Sequence, residues 1–65
     1  MRSPQECAAY MIWSHKSKSR ALEFATEHAM SNRFDRIDGI EGATERETYW
    51  RQVMDAIRAS NTMHE

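Results

Sequence analysis

Sixty-five residues make one domain with little room for a core. A chain this short buries only about 60% of the surface its unfolded form exposes, so it calls for a disulfide, a metal or a partner chain. One cysteine, Cys7, excludes an intrachain disulfide, and nine basic against ten acidic residues (net charge -1) give no global field for nucleic acid or an anionic membrane.

Two glycines, one proline and few β-branched residues favour helices. The expected fold is all-α: a small three-helix domain with helix 1 at about 4–14, helix 2 at about 18–31 and helix 3 at about 45–59. A single domain over 1–65 is expected, completed by dimerisation, with 60–65 as a frayed tail.

Ser3-Pro4-Gln5-Glu6 reads as a capping box with proline at the first helical position. Helix 1 then carries a core stripe of Cys7, Ala8, Met11 and Ile12, while Tyr10 and Trp13 fall on another side. A helix with apolar groups on two sides needs two covers, and the second can be another subunit. The longest apolar-rich run, Cys7 to Trp13, is far too short to span a bilayer. A secretory signal pattern is not evident, so the expected location is cytoplasmic, with Cys7 reduced and no membrane partner.

Ser14 to Arg20 has no apolar residue and reads as a break, with Ser17 as the next N-cap. His15, Lys16, Lys18 and Arg20 make a small basic cluster at the negative end of helix 1. Helix 2 turns an arc of Ala21, Leu22, Phe24, Ala25 and Ala29 inward, and the alanines permit close approach of another helix. His28 sits at the rim of that arc, and Asn32 reads as a left-handed C-cap.

Arg33 to Ala43 reads as a connector. Its Phe34, Ile37 and Ile40 are expected to fold back over the seam between helices 2 and 3, with Gly39 and Gly42 supplying positive backbone angles. Thr44-Glu45-Arg46-Glu47 reads as a second capping box opening helix 3. That helix is the most sharply amphipathic. Tyr49, Trp50, Val53, Met54, Ala56 and Ile57 gather on one arc, and Glu47, Arg51, Asp55 and Arg58 lie opposite. Glu47 with Arg51 and Asp55 with Arg58 have ion-pair spacing.

Few chemistries are supported. Gly39 and Gly42 do not make a phosphate loop, and Cys7, His15, His28 and His64 lack paired zinc spacing. Asp35, Asp38 and Glu41 do not fit a calcium loop, and Glu23 with Glu27 lack the Glu-x-x-His partners of a di-metal bundle. No catalytic residue, metal or cofactor is expected, and the chain is read as not an enzyme.

The order of tryptophan, basic break, alanine-rich helix, loop and Tyr49-Trp50 helix resembles the layout of small helical open reading frames in bacterial and phage genomes. This layout carries no activity and no site residue with it. The leading functional expectation is a protein-interaction module, homodimeric or binding a larger protein partner, including a phage or mobile-element product acting on a host protein. Interface candidates are Tyr10, Trp13, Met11 and Met30. Core candidates are Cys7, Leu22, Ala25, Ala29, Trp50, Val53 and Ile57. The alternative is a nucleic-acid-binding regulator using Lys16, Lys18 and Arg20 at the start of helix 2.

Overall fold

Each of the first two helices begins where a serine hydroxyl replaces a missing backbone acceptor. In the computed structural model, which describes residues 2–60, Ser3 caps α1 (Pro4–His15). The Ser3 hydroxyl accepts from the Glu6 amide and the Glu6 carboxylate accepts from the Ser3 amide, both at 3.1 Å. The Ser3 amide first, and then the Ser3 side chain, hold the exposed Glu6 carboxyl below its ordinary value. Helix α1 ends at Lys16, which takes a left-handed backbone (φ 59°), and Ser17 at once caps α2 (Lys18–Ile37) by accepting from the Arg20 amide. The expected break is therefore a turn of two residues, Lys16 and Ser17. α3 runs Ala43–Ala59, and the chain is all-α throughout the described residues.

Helix α2 corrects the expected end near residue 31. It passes through Asn32 and Arg33 to Ile37 because no glycine or proline interrupts it before Gly39. There the chain closes in the manner of a glycine cap: Gly39 has φ 79°, its amide donates to the Arg36 carbonyl, and the Ile40 amide donates to the Asp35 carbonyl. Asn32 is not a cap. It is buried within the helix, donating to the His28 carbonyl at 2.8 Å and accepting from Arg46 Nε at 2.8 Å.

The start of α3 also differs from expectation. Gly42, with φ 80°, occupies the N-cap, and no side chain caps the helix. Thr44 lies inside the first turn, where its carbonyl accepts from the Thr48 hydroxyl. A Cβ on Gly42 would stand 2.8 Å from Arg46 Nη1, so both angle and space favour glycine there.

The core joins α1 to the first half of α2 and the second half of α3. Ala8, Met11 and Ile12 meet Ala21, Ala25, Val53 and Ile57, with Cys7, Leu22, Tyr49, Trp50, Met54 and Ala56 partly buried around them. Cys7, Leu22 and Trp50 are thus rim residues of the core, whereas Val53 and Ile57 are fully buried. Met11, an interface candidate by sequence, is 4% exposed and belongs to the interior. Lys18 Nζ donates to the Ser60 carbonyl at 2.9 Å, tying the start of α2 to the end of α3. The expected frayed tail otherwise lies outside the described residues.

Helix α1 is about 18 Å long and α2 about 30 Å, at 1.5 Å per residue. The second half of α2 and the first half of α3 therefore pair beyond the reach of α1, in a molecule 39 Å long and 17–19 Å wide. Polar clasps hold that hairpin. Besides the Asn32–Arg46 bond, the Arg36 guanidinium pairs with Glu47, whose side chain is only 11% exposed. The sequence places Glu47 on the wet face as partner of Arg51; its position on the α2 side of α3 gives it to Arg36 instead. Phe34 and Ile37 do not cover the seam. Phe34 follows buried Asn32 by two residues, so it lies about 200° round the helix, in solvent.

Removing one partner of the Arg36–Glu47 clasp should cost more than removing both. Arg36→Ala leaves the Glu47 carboxylate unpaired near the interior, with an expected loss of about 1–3 kcal/mol. Arg36→Met combined with Glu47→Leu should recover most of that loss. Chemical denaturation of the three variants measures it, and a double variant less stable than Arg36→Ala would contradict the cost assigned to the unpaired carboxylate.

Candidate interaction surfaces

Tyr10 and Trp13 project from the side of α1 opposite the core, 48% and 64% exposed, with ring centroids 6.1 Å apart. A cation stands over each ring: the Arg2 guanidinium lies 4.5 Å from the Tyr10 centroid and Lys16 Nζ lies 5.5 Å from that of Trp13. Both expected interface aromatics are therefore adjacent and accessible.

A second apolar surface is hidden when residues 33–43 are read as a connector. Met30, Phe34 and Ile37 follow one another at i, i+4 and i+7 on the outer face of α2, and Ile40 continues the patch in the turn. Their exposures run from 52% to 65%. The signal is present in the sequence: this stripe is out of phase with Ala21, Ala25 and Ala29, as one helix with two apolar faces requires.

Along the core rim, the rings form a row. His28 stacks on Trp50 (4.5 Å, 18°) and meets the edge of Phe24 (4.3 Å), and Phe24 reaches His15 of α1 (5.1 Å). His28 is thereby a packing residue. Tyr49 crosses to the N-terminus, where its hydroxyl donates to the Arg2 carbonyl at 2.9 Å. Burial pushes the Tyr49 phenol from an ordinary 10 up to about 12, with the neighbouring Cys7 adding to the rise. Cys7 itself is half-buried, its Sγ 3.8 Å from Met11 Sδ.

The basic residues expected to form one nucleic-acid surface are dispersed. Lys16 covers Trp13, Lys18 is bonded to Ser60, and Arg20, two positions after Lys18, points about 160° away from it around α2. Other basic side chains converge instead. Arg33, Arg36 and Arg51 line a groove of about 440 Å³ on the α2–α3 seam, with Met30, Met54 and Glu47. A groove of about 780 Å³ between α1 and α3 is lined by Ala8, Ala9, Ala56 and Ala59 together with the polar Gln5, Gln52, Asp55 and Ser60. Among the described residues, no three histidine, cysteine, aspartate or glutamate side chains group as a metal site. No helix among them is long and apolar enough to cross a membrane.

Comparisons with protein-family models, curated proteins and solved structures find no match for this chain.

The raised Tyr49 phenol fixes a sign for alkaline stability. The fold favours its protonated form, so that contribution is fully present below pH 10 and is lost as pH rises through about 12. Spectrophotometric titration should resolve a tyrosine ionising near 12, absent from Tyr49→Phe. The variant should also lose less stability than the parent between pH 10 and 12. Identical alkaline curves would show that the Tyr49 contact contributes nothing.

Proposed function

We propose that this chain is a protein-interaction module that self-associates through the outer face of α1, with Tyr10 and Trp13 at the centre of the contact. The observation that carries this reading is the distribution of large side chains. Trp13, Phe34 and Ile37 are 60% exposed or more, while the interior rests on alanines with Met11, Ile12, Val53 and Ile57. Adjacent exposed aromatics mark interaction sites.

A two-fold axis through this patch buries the same surface on both copies, and that is the commonest closed assembly. Tyr10 and Trp13 then form the dry centre, with Arg2 and Lys16 at the rim, where charge tolerates water. A larger protein partner, such as a host protein met by a phage or mobile-element product, would use the same two rings. Binding of nucleic acid through Lys16, Lys18 and Arg20 draws no support from their dispersed positions. The reading places the protein in the cytoplasm, where the single thiol of Cys7 stays reduced.

Sedimentation at micromolar concentration tests the proposal. The parent should sediment at twice its 7.6 kDa chain mass. Tyr10→Glu with Trp13→Glu should give a monomer whose thermal melt remains cooperative, and Phe34→Glu should leave the dimer intact. A parent that sediments as a monomer would overturn self-association and leave the face to a different protein.

A further inference from the structure

We propose that the seam between α2 and α3, on the side away from α1, is a docking groove for an acidic amphipathic helix of a partner protein. This is a second surface, distinct from the α1 face, and it stands whether or not that face pairs two copies.

The argument begins with Glu47. By sequence it is the i,i+4 partner of Arg51, but the fold turns it inward to Arg36. Arg51 is thereby left without an ion pair among the described residues, and so is Arg33, its neighbour across the seam. Both are exposed. Two uncompensated guanidiniums from two helices thus flank one groove, which also holds the Arg36–Glu47 pair. Lys18 and Arg58 extend the same seam toward the other end, beside Leu22 and Ile57. Of these five basic residues along one side of the helix pair, Arg36 is paired with Glu47, Arg58 with Asp55 at 3.4 Å, and Lys18 donates to the Ser60 carbonyl, so Arg33 and Arg51 carry the uncompensated charge.

The groove is not purely electrostatic. Met30, 53% exposed, and half-buried Met54 form its walls and Ala29 lies between them. Methionines adapt their shape to apolar side chains and suit a recognition surface. Two parallel walls with a small-residue floor fit a third helix lying in the seam, opposite α1. From Lys18 to Arg36 the seam runs about 27 Å, the length of about 18 helical residues. Carboxylates on either side of that helix would meet Arg33 and Arg51. A nucleic-acid strand suits the groove less well: its lining offers apolar contact from Met30, Met54 and Ala29 and no aromatic ring on which a base could stack.

The probe is a synthetic amphipathic helix of about 18 residues, with leucines on one face and glutamates on both flanks. It is titrated into the full chain carrying labelled methionine methyl groups. Binding should shift Met30 and Met54 and leave buried Met11 unmoved. A lysine-flanked version of the peptide should not bind. Arg33→Glu with Arg51→Glu should weaken binding about tenfold or more with an unchanged melt, and Arg33→Gln with Arg51→Gln should give a smaller loss. Tyr10→Glu with Trp13→Glu should bind as the parent does, which separates this groove from the α1 face. The proposal is overturned by a parent that does not bind, by charge-reversed arginines that bind equally, or by shifts confined to the α1 side. It is also overturned if a single-stranded oligonucleotide displaces the peptide and binds the same arginines more tightly.

Discussion

The alanine face of α2 is the constraint on which the rest of the molecule depends. Ala21, Ala25 and Ala29 are at most 8% exposed, and Ala43 of α3 is fully buried. Methyl side chains let α2 and α3 approach closely along their length, so the seam is filled by short groups and a few branched ones, Val53 and Ile57 above all. Close packing gains dispersion and restricts few rotamers. It also limits the apolar area taken from water, because an alanine contributes little of it. Met11, Ile12, Val53 and Ile57 fill what interior remains, and Tyr10, Trp13, Met30, Phe34 and Ile37 are left on the outside of α1 and α2.

That constraint explains which elements could be read from the sequence. Helix starts are legible where a single residue type acts within one turn. The Ser3–Glu6 box and the Ser17 cap need no tertiary information. The alanine stripe is legible because its period is helical. The end of α2 is not, because Asn32 has two uses. In isolation it suits a left-handed cap; facing Arg46 of another helix, it is satisfied inside the helix by one bond along the axis and one across the seam. A partner fourteen residues away decides the matter. The same holds for Gly42, whose capping role depends on how sharply the chain must turn after Ile40.

The candidate surfaces are legible unequally for the same reason. Tyr10 and Trp13 lie on a helix whose bounds the sequence defines, so their phase against Ala8, Met11 and Ile12 places them outside. Met30, Phe34 and Ile37 form a face only once α2 is known to continue. The arginine groove lies further from view, because it needs the register between two helices and the choice Glu47 makes between Arg36 and Arg51. Net charge averages over the whole surface and hides such an arrangement, since acidic residues on the outer edges of α2 and α3 cancel the seam in the sum.

A core of this kind would couple folding to association under the proposed reading. Alanine-lined packing at one end and polar clasps at the other leave a small margin between folded and unfolded states, as expected for a domain of this length. A ligand that binds only the folded chain adds stability as RT ln(1 + [L]/Kd), about 2.7 kcal/mol when its free concentration is about a hundred times Kd. For a small domain that is a substantial fraction of the total. The side chains to which the two proposals assign this increment are ones left exposed or half-buried around the alanine face: paired rings on α1, and methionines between arginines on the seam. On that reading, apolar surface left outside by the core would add to folding stability once it is covered by a partner.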